Sequence, residues 1–202
     1  MATIQEECAT RNIDRLLHFT PVEHLGSILK HGLLVPSVCK VNDVGMKPND
    51  TSRHDHQDAI CLSIEWPNWS LYWRFHQLDV KRAWAVIQVK HTVLWEKRVC
   101  FNTTNAADGA MSSQTFAARQ GVQKFLELFD DWGNKKRADL HIPDFYTTNH
   151  QAEVLCLDTI EPSYFDAVYL DQQDAFNAYK GAHANILHDS TYFKYRRDWG
   201  HW

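Results

Sequence analysis

Apolar and polar residues alternate with a period of two in several short runs of this chain, and that period predicts strands. The clearest run is AWAVIQVKHTVLW, residues 83–95, which is also rich in β-branched and aromatic side chains. AICLSIEW (59–66), AEVLCLD (152–158) and FDAVYLD (165–171) alternate in the same way. In RLLHFTPVEHLGSILKHGLLVPS (15–37) a short strand over Leu16 to Phe19 gives way to a helix. That helix is expected to start at Thr20 as N-cap, with Pro21 at its first position and Glu23 as the reciprocal capping residue. Leu25, Ile28 and Leu29 share a face, and Gly32 is a good stop.

Other stretches carry no period of two. NWSLYWRFHQ (68–77) suits an aromatic-rich helical turn, and FAARQGVQKFLELF (116–129) predicts a helix with Phe116, Val122, Phe125, Leu126 and Phe129 on its apolar face. Residues 37–57, 101–115 and 130–151 are polar, rich in turn formers and aperiodic, so they read as loops. Loops as long as the first are usually functional or disordered. The final stretch reads as a helix followed by a basic, aromatic tail. With no repeat and no linker composition, residues 1–202 are expected to form one α+β domain.

Composition narrows the function classes. A chain of 202 residues that is 44% hydrophobic can bury a substantial core. No apolar run approaches the ~20 residues that span a bilayer, and the first residues are too polar for a signal peptide, so a cytoplasmic protein with no membrane partner is expected. Five scattered cysteines without a C-x-x-C pair indicate reduced thiols. The net charge, 21 − 25 = −4, disfavours non-specific coating of duplex nucleic acid but leaves room for a local basic groove. His54, Asp55, His56 and Asp58 in RHDHQD are metal-ligand types, yet no second cluster completes a site, so no metal is expected and the segment is read as shaping its loop.

Three residues carry more specific chemistry. A strand that buries Val154 and Cys156 has little structural use for the carboxylate of Glu153 at its mouth. His18 lies in the first strand and Arg53 in the first long loop. An imidazole can hold a ribose hydroxyl, a guanidinium can pair with a phosphate, and a carboxylate can face a developing positive charge. No G-x-G-x-x-G follows a strand, so a Rossmann mode of dinucleotide binding is unsupported.

LLHFTPVEHLGSILKHGLLVP (16–36), an arginine in the loop before a strand, and NHQAEVLCLDTIEPSYFDAVYL (149–170) together resemble the DarT family of DNA-base ADP-ribosyltransferases, in order from about Ile13 to Leu170. The resemblance implies an ADP-ribosyltransferase-like split β-sheet sandwich with flanking helices and NAD+ as co-substrate. It implies Glu153 and Arg53 as catalytic residues and His18, Thr20, Ser27, Ser63 and Tyr72 as NAD+ contacts. It also implies a toxin that modifies single-stranded DNA and is opposed by a cognate antitoxin that hydrolyses the ADP-ribose.

Around DAICLSIEWPNW (58–69) the chain departs from the thymidine-modifying members, with Ser63 mid-strand and Trp66, Pro67, Trp69 and Tyr72 following. Guanine is therefore favoured over thymine as the target base. Lys135, Lys136 and Arg137, upstream of Glu153, are the expected electrostatic track for the strand, with His150 and Gln151 beside it. Trp66 and Trp69 are candidates for stacking on bases, and Trp84 and Trp95 for the core. The rivals are a transferase of the same fold acting on RNA or protein, and an inert NAD- or nucleic-acid-binding module.

Overall fold

The alternating runs do form strands, and these hydrogen-bond into a seven-stranded sheet with helices beside it. The computed structural model describes residues 2–41 and 58–202. The strands are β1 (Arg15–Pro21), β2 (Ile60–Ile64), β3 (Trp84–Lys90), β4 (Val99–Asn102), β5 (Glu153–Cys156), β6 (Phe165–Leu170) and β7 (Ile186–His188). Their order is β4-β5-β2-β1-β3-β6-β7, and only the β6/β7 pair is parallel. The helices are α1 (Ile4–Arg11), α2 (Leu25–His31), α3 (Pro36–Val41), α4 (Trp69–Leu78), α5 (Val93–Glu96), α6 (Gly109–Ser112), α7 (Val122–Leu126), α8 (Arg137–Leu140) and α9 (Gln173–Tyr179).

The sheet is split between β1 and β2. β1 pairs with β3 along its whole length, from Arg15↔Lys90 to Pro21↔Trp84. On its other side it meets β2 only at Leu16↔Ile64 and Leu17↔Ser63. Beyond that junction the β4-β5-β2 wing leaves the β1-β3-β6-β7 wing, which opens the sheet beside His18.

One face is a continuous core. Leu16, Leu62, Ile87, Val89, Val154, Cys156 and Val168 pack there against Cys8 of α1, Leu25 and Ile28 of α2, Leu94 of α5 and Phe125 of α7. The other face carries two smaller clusters. Leu17, Val86, Ala167, Tyr169 and Tyr192 cover the β1-β3-β6 wing, and Ala59, Cys100, Ala106 and Leu155 cover the other. Apolar cover is thus interrupted on this face, and Ser63, Asn68, Asn102 and Glu153 are the buried polar residues nearby.

The entry to α2 differs from expectation. Thr20 and Pro21 remain in β1, a 3-10 turn covers Val22–His24, and α2 starts at Leu25 with no side-chain cap. Proline is tolerated there because β2 has already diverged, so the ladder needs no donor on that side of β1. Glu23, instead of capping, pairs with Arg82 at 2.5 Å. Gly32 does end the helix, at φ 87°, and a Cβ there would collide with the carbonyl oxygen of Ile160.

Several further elements were not expected, among them α1, β4, β7 and the short helices α3, α6 and α8 in segments read as loop. α1 is entered through a capping box in which the Thr3 hydroxyl accepts from Glu6 N, and Glu6 Oε2 accepts from Thr3 N at 2.7 Å. β4 and β7 are short strands inside segments read as loop and tail. The expected strand over 83–95 stops at Lys90, where the chain turns into α5. The expected helix over 116–129 is broken by Gly121, at φ 90°, into a 3-10 turn, α7 and a second 3-10 turn. Trp84 is buried, and Trp95 packs on the main core. None of the five cysteines, all among the described residues, forms a disulfide. Among the described residues no helix is long and apolar enough to cross a membrane.

Candidate active site

Glu153 opens β5 and is only 4% exposed, so it is not the solvated edge residue that its position alone would suggest. By alternation it shares a face with Leu155, next to Asn102 across the β4/β5 ladder. Its Oε2 accepts from the backbone N of Ala106 at 2.8 Å. Oε1 lies 3.3 Å from Nδ2 of Asn105 and 3.4 Å from Nδ2 of Asn68. Two segments distant in sequence, one carrying Asn68 and the other Asn105 and Ala106, thus aim three donors at one carboxylate, the complement of an acceptor-only group.

The backbone of Glu153 is held as well. Asn102 Nδ2 donates to its carbonyl at 3.2 Å, and the Asn102 side-chain oxygen accepts from the guanidinium of the buried Arg119. Asn68 is tied in from two sides: its N donates to Ser63 Oγ at 3.1 Å, and its Oδ1 caps α4 by accepting from Leu71 N at 3.1 Å. Sequence reading missed Asn68, Asn102, Asn105 and Arg119. Asn102 and Asn105 lie in a run read as loop, and Asn68 and Arg119 in runs read as helix, so the available signal was polar residues that those readings left on the surface.

His18 follows Leu16 by alternation, which alone would place it on the face opposite Glu153. The opening between β1 and β2 changes that, because the ring reaches across it and Nδ1 lies 2.9 Å from the carbonyl oxygen of Cys61 in β2. A carbonyl only accepts, so Nδ1 carries a proton and donates to it. β2 lies between β1 and β5, so two strand spacings of ~5 Å each, widened by the opening between β1 and β2, separate the His18 and Glu153 backbones.

The other expected NAD+ contacts are spread more widely. Thr20 is buried in β1 and Ser27 is partly exposed on α2. The Ser63 hydroxyl is engaged by Asn68, as above. Tyr72 is buried among Phe19, Trp84 and Phe193, and this desolvation raises its phenol pKa. Arg53, His54, Asp55 and His56 lie outside the described residues. Asp58 accepts from the backbone N and the hydroxyl of Ser37.

The loop that leads into Glu153 is held by two arginines. Arg137 Nη1 donates to Tyr146 O at 2.7 Å and Thr148 Oγ1 at 3.1 Å, and Nη2 to Pro143 O at 2.9 Å and Asp144 O at 3.1 Å. Expected as part of a phosphate track, this guanidinium instead folds the loop. Arg196, buried in the tail, donates to Thr147 O at 2.8 Å and Thr148 O at 3.1 Å while its other edge is paired with Asp198. Lys136 is exposed and bonded to Asp131 at 3.0 Å, and Lys135 donates to the carbonyl of His201. Trp66 packs against Tyr146 and Tyr192 and donates to Lys194 O at 3.2 Å, which makes it part of the scaffold.

Gln151 N bonds to Asn149 Oδ1 at 2.9 Å. His150 is 5% exposed, stacks on Trp69 at 4.5 Å, meets Trp202 edge-on at 4.6 Å, and has Nε2 2.6 Å from the Ser70 hydroxyl. Burial, with the Arg196 charge adding to it, lowers its pKa to about 3 from 6.5. Between those values the unfolded chain binds a proton that the native state does not, so stability falls as pH falls, by ~1.4 kcal/mol per unit. Urea unfolding is expected to show the wild type losing about 2 kcal/mol more than His150→Gln between pH 6.5 and about pH 5. Equal losses in the two proteins would contradict the buried neutral imidazole.

Comparison with known proteins places this architecture. The family model described as "ssDNA thymidine ADP-ribosyltransferase, DarT" matches residues 17–200. The chain belongs to the DarT family. Its fold is similar to that of Thermosipho africanus DarTG, solved in complex with ADP-ribose, with a TM-score of 0.61 and 18% identity over 89% of this chain and 50% of that one. The chain therefore spans about half the length of that protein. Thermus sp. 2.9 DarT, solved in complex with NAD+, also matches, at a TM-score of 0.49 and 10% identity over 87% of this chain and 96% of that one. No curated protein sequence matches.

Proposed function

We propose that residues 1–202 form a catalytic domain that transfers ADP-ribose from NAD+ to a base of single-stranded DNA, guanine in preference to thymine. The observation that carries this reading is the Glu153 carboxylate, buried at the start of β5 and held by donors from Asn68, Asn105 and Ala106 beside the split in the sheet. In the reaction the bond between nicotinamide and ribose breaks, and nicotinamide leaves with the electron pair. The ribose C1 becomes cationic and a base nitrogen attacks it. Glu153 accepts a hydrogen bond from the ribose 2-hydroxyl, which strengthens as charge builds, and takes the proton released by the attacking NH.

In this reading His18, whose ring reaches across the opening between β1 and β2, holds a hydroxyl of the adenosine ribose. Thr20, Ser27 and Ser63 contact the dinucleotide in the same reading and Arg53 pairs with the pyrophosphate or steers the base, whereas Tyr72, packed among Phe19, Trp84 and Phe193, belongs to the scaffold. The biological setting that goes with family membership is a cytoplasmic toxin restrained by an antitoxin that removes the ADP-ribose.

Guanine rests on the departure of residues 58–69 from the thymidine-modifying members. The description of the matching family model, which names thymidine, favours the second reading. Incubation with NAD+ and single-stranded oligonucleotides that each lack one base, followed by mass spectrometry, separates them. The guanine-free strand is expected to stay unmodified. If only the thymine-free strand stays unmodified, the target is thymidine. If RNA or protein is modified in preference to every DNA strand, the substrate class is wrong.

A further inference from the structure

The C-terminal segment 194–199 alternates between two jobs. Arg196 and Asp198 are buried and hold the loop before Glu153, whereas Lys194, Tyr195, Arg197 and Trp199 face solvent. Tyr195 is 40% and Trp199 55% exposed, and Trp73 of α4 is 40% exposed beside them. Their rings form a contiguous row: Tyr195 lies 5.2 Å from Trp69, 5.5 Å from Trp73 and 5.5 Å from Trp199. Trp69, Tyr72, Trp73, Phe193, Lys194 and Tyr195 wall a cavity of about 210 Å³. Scattered exposed aromatics need no explanation, but a contiguous row in which three rings wall a cavity marks a binding surface.

Charge identifies the occupant. Arg74, Lys194 and Arg197 are exposed around this row with no ion-pair partner among the described residues, on a chain whose net charge is −4. Asp198, the carboxylate within the segment, is neutralised by Arg196. Unpaired cations interleaved with stacking rings suit a single-stranded polyanion that carries planar bases. The row also adjoins the site, since α4 starts next to Asn68, which bonds Glu153, and Trp69 stacks on His150.

We propose that this ledge binds the nucleotide flanking the reacting base of single-stranded DNA. The flanking base stacks among Trp69, Trp73 and Tyr195, and Lys194, Arg197 and Arg74 take the phosphates. This inference rests on the DNA-modifying function proposed above.

The test uses Trp73→Ala, Tyr195→Ala and the pair Lys194→Glu/Arg197→Glu, all at exposed positions, with folding of each variant verified. KM for a single-stranded oligonucleotide is measured at saturating NAD+, and NAD+ affinity by calorimetry. Each aromatic variant is expected to raise the DNA KM roughly 5- to 150-fold, which is ~1–3 kcal/mol of stacking at ~1.4 kcal/mol per tenfold change. NAD+ affinity is expected to stay within about twofold. The charge variant is expected to weaken DNA binding with a shallower dependence on salt.

An unchanged DNA KM overturns the ledge and leaves the aromatic row to a protein partner. A parallel loss of NAD+ affinity also overturns it, because the cavity then holds the adenine of the dinucleotide. If the wild type modifies no DNA, the functional reading itself fails. If the wild type modifies DNA and the variants do so equally well, only the ledge fails.

Discussion

Glu153→Gln is expected to lower the rate of DNA modification by ~10²–10⁴-fold, the range for losing a positioned general base together with a charge that faces the transition state. The loss should appear in kcat with NAD+ affinity largely retained, because the interaction is strongest only when the ribose is cationic. Glutamine keeps the volume of the side chain but not its chemistry. Its NH2 must face either the N–H of Ala106 or the amides of Asn68 and Asn105, so one donor opposes another in either orientation. Stability should therefore drop as well, by ~1–3 kcal/mol for a buried donor left unsatisfied. Nicotinamide release in single turnovers at saturating NAD+, corrected for the folded fraction, measures the catalytic part alone.

Arg196→Ala has the largest expected effect on stability. The Arg196/Asp198 pair is almost fully buried, at 2.7 Å, and removing the cation strands Asp198 as well as the carbonyls of Thr147 and Thr148. Breaking a buried pair from one side costs ~3–5 kcal/mol, and urea denaturation should show a loss of that size. Arg196→Met combined with Asp198→Leu removes both charges and should recover much of the stability, since apolar replacement of a whole pair is often neutral. The double variant still lacks the anchors of the loop, so its KM for DNA should stay raised although it folds. A double variant with full DNA affinity would show that the tail serves stability alone.

The sequence made the long-range frame legible where one signal dominated. β2, β3, β5 and β6 follow alternating runs, α4 starts next to Asn68, and Gly32 ends α2. It misled where two signals competed over one stretch. Thr20, Pro21 and Glu23 match a helix entry, yet the pairing of Thr20 with Ala85 and Pro21 with Trp84 kept them in the sheet. β4 and β7 are four and three residues long, too short for periodicity to separate them from loop.

Of the candidate site, Glu153 was visible because an acid at the head of an apolar strand is out of pattern. The polar residues around it were not, since Asn102 and Asn105 sit in a run with no pattern to break and Arg119 reads as the polar side of a helix, and only tertiary folding brings them together beside Glu153. Arg137 shows the converse error: a basic run reads as a solvated or phosphate-facing charge, and nothing local shows that its guanidinium will meet four acceptors on its own loop.

The account stands or falls on whether the acid at 153 drives ADP-ribosyl transfer to DNA. The most direct measurement is the mass spectrum of one single-stranded oligonucleotide after incubation with NAD+ and either the wild type or Glu153→Gln, with folding of both verified. The account predicts a strand heavier by one ADP-ribosyl group with the wild type and an almost unchanged strand with the variant. Equal modification by the two proteins, or nicotinamide release by the wild type with every strand left unmodified, would contradict it.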